Sequence, residues 1–454
     1  MYFVYSVLTA AVVILLSPYL LVRGAGRSQY LKNFPERMAW RFPPELASKK
    51  SVEAGAIWVH AVSVGEVLAA VPLARALKQR FPAHRLVIST TTATGQALAR
   101  ERMKFADAIF YFPLDWQGPV RRALAVVDPS LVVVFETEIW PNFLRAARRK
   151  GTAVVFVNGR ISDRSFRSYS KTLQRFGALL NGFLRQVLED GTLYMMQTEE
   201  DAKRVQALGA PSDRVLVAGN MKYDLAPAVE NPFVEWLREE MTQSWRSPLL
   251  VAGSVMAGEE AVVLEALAVV ERKWPRAILV LAPRKPDRFE AAATLVEQAG
   301  RKVVRRSQLT LDDSLKGVLA RAADVPGSVL LLDSIGELAA AYALADAVFV
   351  GGSLEPFGGH NPLEPAVAAR VPVFGPSMDN FREVAKELVA ADAAIVVRSG
   401  KELGESWAAL LDDPARDKRM GHAALEFVER NRGATAATLE QLAAILDGQT
   451  ARTS

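Results

Sequence analysis

From Ala56 onward the chain repeats one pattern: a short apolar run, a polar or glycine-bearing turn, then a stretch with apolar residues at helical spacing. Short apolar runs bounded by turn signals read as strands buried on both faces. In the first half they fall at 57–61, 85–90, 107–112, 131–135, 154–157, 193–197 and 215–218. In the second half they fall at 249–254, 278–283, 302–305, 329–333, 347–350, 371–374 and 394–397. Stretches such as Val67 to Arg80 predict helices between them, and 414–432 and 434–446 predict a closing helical pair. Strands alternating with helices imply parallel sheets covered on both faces. The stretch 307–326 shows no such pattern.

The first 22 residues, MYFVYSVLTAAVVILLSPYLLV, break the pattern by carrying no charge. About 20 apolar residues suffice to cross a bilayer as one helix. A cleaved signal peptide would need a basic start and a shorter apolar core, and neither is present. Seven Lys/Arg against two Glu follow between Arg23 and Lys50. By the positive-inside rule this collar places the body on the cytoplasmic side. Pro18 leaves a second reading open, a kinked helix lying shallowly in the interface.

The 454 residues suit two domains, each large enough to bury its own core. The net charge of +5 is mild, and no basic run is interleaved with aromatics, so nucleic acid is not an expected partner. The absence of cysteine excludes disulfides, thiolate metal sites and cysteine nucleophiles. Four scattered His and no Asp-x-Asp argue against a metal centre.

The polar stretches all follow strands, where ligands bind in α/β folds. The longest is Gly351 to Ala366, GGSLEPFGGHNPLEPA. Asn361-Pro362-Leu363-Glu364 predicts a helix start with Asn361 as N-cap, Pro362 in the first turn and Glu364 closing a capping box. Strand, glycine loop and helix N-terminus together predict a phosphate site built from unpaired backbone N–H groups. A tight turn before a well-capped helix is the plainer alternative. Ser63-x-x-Glu66 likewise reads two ways: a capping box, or an ionised carboxylate beside a helix N-terminus that serves as general base. Glu136 and Glu138 end the most apolar strand, where two carboxylates need polar or cationic company. Arg160, Arg164, Arg167 and Lys171 follow Asn158-Gly159, the last three at helical spacing, as a solvated face or as a face for lipid phosphates. Arg284 and Lys222 are candidate cations for a nucleotide phosphate.

Seven segments together resemble the Kdo (3-deoxy-D-manno-octulosonic acid) transferases of glycosyltransferase family 30. They are HAVSVGE at 60–66, TTTATG at 90–95, FETEIWPN at 135–142, NGRISDRS at 158–165, GNMKYD at 219–224, APRKP at 282–286 and the Gly351 stretch. The resemblance spans nearly the whole chain. It implies an α/β GT-B fold, two Rossmann-like domains facing across a cleft, plus an N-terminal membrane helix. Residues 1–22 would be the anchor, 23–224 the acceptor domain, 225–247 a linker, 248–432 the CMP-Kdo-binding domain and 433–454 a C-terminal helix. It further implies inverting, metal-independent transfer of Kdo from CMP-Kdo to lipid IVA, with no cofactor, at the cytoplasmic face of a Gram-negative inner membrane during lipopolysaccharide assembly. Glu66 matches the family's base, with Glu136 and Glu138 as its second acidic motif. Lys222, Gly253, Ser254, Arg284, Gly351, Gly352, Ser353, Asn361 and Glu364 fall on donor-binding segments. Ser63, Thr92, Arg160 and Arg164 fall to the acceptor side.

Three rivals share the pattern: a membrane-associated UDP-sugar transferase, a nucleotide-sugar epimerase of the same architecture, and a nucleotide-binding scaffold without turnover. The epimerase reading leaves residues 1–22 unexplained. Binding of nucleotide without donor consumption would mark the scaffold.

Overall fold

The computed structural model describes residues 1–24, 33–47, 55–225, 232–243, 247–309 and 327–453. It divides into two compact units, Met1–Asp224 with Arg432–Ser454, and Leu225–Asn431.

The first unit is a seven-stranded parallel sheet of order β3-β2-β1-β4-β5-β6-β7. The strands are β1 Ala56–His60, β2 Arg85–Thr90, β3 Ala108–Tyr111, β4 Pro129–Phe135, β5 Ala153–Gly159, β6 Leu193–Met196 and β7 Val215–Val217. Helices used below are α1 Tyr2–Gly24, α2 Val64–Arg80, α3 Ala93–Arg102, α4 Gln117–Val127, α5 Pro141–Lys150 and α6 Asp163–Glu189. Alternate residues of one strand feed opposite faces. Trp58 thus joins Phe110, Phe112 and Phe143 on one face, while Ile57 and Val59 pack with Val67, Leu73 and Leu77 of α2 on the other. The closing helix (Ala434–Thr453) returns to this second face, burying Leu442 and Leu446 there. Asp224 fixes that return by accepting the N–H groups of Gly433 and Thr435 at 2.6 and 2.5 Å.

The second unit is also built on a seven-stranded parallel sheet, of order β10-β11-β9-β8-β12-β13-β14. Its strands are β8 Leu249–Val255, β9 Ile278–Pro283, β10 Val303–Arg305, β11 Val329–Leu331, β12 Ala347–Val350, β13 Val373–Phe374 and β14 Ile395–Val396. The helices that matter are α7 Pro232–Gln243, α8 Glu259–Glu271 and α9 Leu363–Val367. The expected linker contains α7, whose Phe233, Trp236 and Leu237 are core residues of this unit.

The strand order reverses between β1 and β4 in the first sheet and between β8 and β12 in the second, where β11 also lies between β9 and the edge strand β10. Helices leave a doubly wound sheet in opposite directions at such a point, opening a crevice at the strand ends.

The membrane helix expected at 1–22 is not shown as a span. Among the described residues, no helix is long and apolar enough to cross a membrane. The first turns of α1 are instead bonded to the first unit. Tyr2 Oη donates to Asp190 at 2.8 Å, and Ser6 and Asn142 share hydrogen bonds at 3.0 and 3.3 Å. Trp116 Nε1 donates to Thr9 Oγ1 at 3.3 Å.

Candidate active site

At the switch point of the first sheet, β1 ends in His60 and the chain turns through Ala61, Val62 and Ser63 into α2. Ser63 is the N-cap, and the capping box with Glu66 is formed. Glu66 accepts the N–H of Val62 at 2.8 Å and of Ser63 at 3.2 Å, and the Ser63 hydroxyl at 2.8 Å. Only 6% of the residue is exposed. Burial therefore pushes its carboxyl up to about 7, against the bonds from Val62 and Ser63 and with added repulsion from Glu136 and Glu138. Burial outweighs the helix terminus and the cap, so the carboxyl lies above its ordinary range. The side chain that caps the helix is thus also a nearly buried carboxyl.

The carboxylates Glu136 and Glu138 come from the end of β4, on the other side of the switch point. Glu136 has a left-handed backbone (φ 54°), a conformation that non-glycine residues adopt rarely and that recurs at functional sites. Burial raises the Glu138 carboxyl, and the charge of Glu136 adds to it. Thr137 ties this loop to β5's end by donating to the Arg160 carbonyl.

Asn158, also left-handed at φ 53°, accepts the N–H of Met221 at 3.0 Å and so draws the 220–223 turn to the sheet end. This places Lys222 where it senses both Glu136 and Arg160. Burial lowers the Lys222 ammonium, Glu136 opposes the shift and Arg160 reinforces it. Lys222, expected among the donor contacts, lies in the first unit beside Glu136. Ser63 and Thr92, expected to meet the acceptor, have their hydroxyls engaged in capping: Thr92 donates to Val62 O at 2.9 Å and accepts from Gly95 N at 3.1 Å. Arg160 is exposed beside the cluster. Arg164 lies in the first turn of α6, and its side chain falls outside the described residues.

Two neighbours that the sequence did not single out complete this half. His60 stacks on Phe112 with centroids 4.0 Å apart, and burial drives its imidazole down to about 3, so it stays neutral. Asp115 accepts the N–H of Asn142 at 3.1 Å and of Phe143 at 2.8 Å, capping α5 and holding the Trp140-Pro141 turn. Its partners lie 27 and 28 positions away, so no local pattern announces it.

In the second unit, Gly253 and Ser254 come from the end of β8, and Gly351 to Ser353 follow β12. A Cβ on Gly351 would stand 2.6 Å from the Ser254 carbonyl oxygen, so only glycine lets the two strand ends approach this closely. Gly352 adopts φ 69°, and a Cβ there would crowd His360. Arg284 faces both His360 and Glu364. Burial raises the Glu364 carboxyl, with Arg284 and the Asn361 hydrogen bond opposing. Burial, helped by Arg284, lowers His360 to about 4, and its buried Nε2 has no hydrogen-bond partner among the described residues.

Two expectations for this loop are corrected. First, its N–H groups are not unpaired. Glu259, fully buried at the start of α8, accepts those of Gly352, Ser353 and Leu354 at 2.6, 2.9 and 2.9 Å, and of Met256 at 2.9 Å. Second, the helix begins later and is shorter than the Asn-Pro-x-Glu pattern suggests. Pro362 occupies the N-cap with helical dihedrals, α9 has five residues, and Asn361 Oδ1 accepts the N–H of Leu363 at 3.1 Å without a capping box. A single turn carries little dipole.

Two Rossmann-like units with their polar residues gathered at the strand ends make up the GT-B fold, the architecture of a large class of glycosyltransferases. The crystal structure of a glycosyltransferase from Rickettsia africae is similar, with TM-score 0.51 at 12% identity, over 87% of this chain and 98% of that one. Residues 32–225 match the family described as 3-deoxy-D-manno-octulosonic-acid transferase (kdotransferase). Curated 3-deoxy-D-manno-octulosonic acid transferases are similar across both units. That of Haemophilus influenzae is 34% identical over 86% of this chain and 87% of its own length. That of Bordetella pertussis is 33% identical over the same shares. The chain belongs to the Kdo transferase family and is a glycosyltransferase.

Proposed function

We propose that this enzyme transfers Kdo from CMP-Kdo to lipid IVA with inversion, without a metal ion, in lipopolysaccharide assembly. The observation that carries the reading is Glu66: a buried carboxyl near neutrality, at the switch point, with Glu136 and Glu138 beside it. A primary hydroxyl of the acceptor attacks the anomeric carbon of Kdo, and its proton passes to Glu66. The bond from that carbon to the phosphate oxygen breaks, and CMP leaves with the electron pair. A base whose pKa lies near the working pH combines availability with driving force. Lys222 and Arg160 balance the acidic cluster on the acceptor side.

For the donor, Arg284 is proposed to meet the phosphate, on which charge grows as CMP departs. Glu364 and Asn361 accept ribose hydroxyls, and Gly253, Ser254 and Gly351 to Ser353 shape the nucleotide bed. Mass spectrometry of the product formed from CMP-Kdo and lipid IVA tests the reading: one or more added Kdo residues support it, and an unmodified acceptor contradicts it.

The acceptor carries acyl chains, which calls for work at a membrane. With the first turns of α1 bonded to the protein, we read the anchor as a helix lying in the interface of the inner membrane, on its cytoplasmic side.

A further inference from the structure

Helix α1 has two unlike faces. Tyr2, Ser6 and Thr9, at helical spacing, bond to the first unit. Phe3, Val4, Val7, Leu8, Val12 and Leu15 lie on the other side and are exposed, Phe3 and Leu15 to 74% and 77%. An apolar stripe of this length is seldom left to water on a soluble protein. Docking to the protein leaves it pointing outward.

Beside the start of this stripe is a cavity of about 400 Å³ between α1, α4 and α5. Arg121, Arg145, Arg149 and Lys150 line it, with Met1 and Phe3 at one wall, and among the described residues no carboxylate lines it. Two of the cations are engaged: Lys150 with Asp128, and Arg145 with the Tyr2 ring and, at 4.0 Å, Asp190. Arg121 and Arg149 are exposed and have no ion-pair partner among the described residues. Guanidinium groups suit phosphate oxygens because they present paired donors in a planar fork.

We infer that this cavity is a headgroup site for an anionic phospholipid, whose acyl chains meet the exposed apolar face of α1. Charge selects the occupant. A zwitterionic headgroup would bring a further cation beside Arg121 and Arg149, whereas a headgroup of net negative charge offsets theirs. The apolar stripe excludes a free phosphate as the natural ligand, since only a lipid uses both features at once. The site lies against the first unit's α1, α4 and α5, and Glu66, Glu136 and Glu138 are not among its lining residues. The inference rests on the membrane attachment proposed above and adds its lipid selectivity.

The test is flotation of the full-length chain with vesicles of pure phosphatidylcholine and of phosphatidylcholine enriched in phosphatidylglycerol, alongside Kdo transfer measured in detergent. Wild type is expected to prefer the anionic vesicles by roughly tenfold or more, the scale set by a few basic side chains at a charged surface. The double variant Arg121→Glu/Arg149→Glu is expected to lose that preference while retaining detergent-assayed transfer. Val7→Asp/Leu8→Asp is expected to weaken flotation with both vesicle types. Equal flotation of wild type with both compositions, or an unchanged preference in the arginine variant, overturns the headgroup site and leaves membrane attachment standing. Binding of inorganic phosphate without vesicle binding also overturns the lipid assignment. Loss of transfer in wild type in detergent would instead strike the proposed activity.

Discussion

Glu259 Oε2 accepts the N–H of Gly352 at 2.6 Å, joining residues 93 positions apart. The same carboxylate takes three further backbone donors, so one side chain sets the shape of the loop after β12. Replacing it strands buried N–H groups, each costing about 1–3 kcal/mol. Glu259→Ala should therefore lower the stability of the second unit by about 3 kcal/mol or more. Glu259→Gln, which keeps one acceptor oxygen, should lose less and bind CMP more weakly than wild type. Denaturant unfolding and calorimetry with CMP check both. Full stability and unchanged affinity in Glu259→Ala would show that the loop holds itself.

The carboxyl of Glu66, at about 7, sets a pH dependence. Protonated Glu66 cannot accept a proton, so kcat/KM should fall with unit slope below about 7 and level off above it. The limb belongs to the acidic side because ionisation creates the active form. A profile flat from pH 5.5 to 8.5 (about the range over which such a base would titrate) would deny this role.

Burial is the main cause that raises the Glu66 carboxyl, and the charge of Glu136 adds to it. Glu136→Gln removes that charge, so the apparent pKa of the surviving activity should move down. An upward move would mean that Glu136 acts on Glu66 through structure rather than charge.

Fourteen apolar runs became the strands of two sheets. They were legible because strands covered on both faces need no alternation, and a short continuous apolar run has few other uses. The clustering of Glu66, Glu136 and Arg160 followed from their common position after strands. What stayed hidden depends on distant partners. Glu259 reads as one more acidic residue in a helix's first turn, and Asp115 as a loop carboxylate, until the fold brings backbone donors to them. The Asn361 pattern misled for a related reason. Local helix signals compete with the tertiary path of the chain, and here the path leaves room for only five helical residues. Residues 1–22 read as apolar throughout, and no periodicity distinguished the face carrying Tyr2, Ser6 and Thr9.

On the donor side, a hydrogen bond to a charged group contributes about 1.5–3 kcal/mol, so Arg284→Ala should weaken CMP binding by roughly ten- to a hundredfold. Glu364→Ala should also weaken it, with the fold intact by circular dichroism. Unchanged CMP affinity by calorimetry in either variant would remove that residue from the donor site.

Removal of divalent ions addresses the metal-free chemistry. Transfer should proceed at its ordinary rate after dialysis against chelator. Loss of activity, restored by a divalent cation, would contradict it.

The most direct test of the whole account is single-turnover transfer from CMP-Kdo to lipid IVA by purified Glu66→Gln. The substitution keeps size and hydrogen-bonding capacity but cannot take a proton near neutrality. With folding verified by its unfolding midpoint, the variant should transfer Kdo slower than wild type by about 10²–10⁴. A rate within a few-fold of wild type would contradict the assignment of Glu66 as the base.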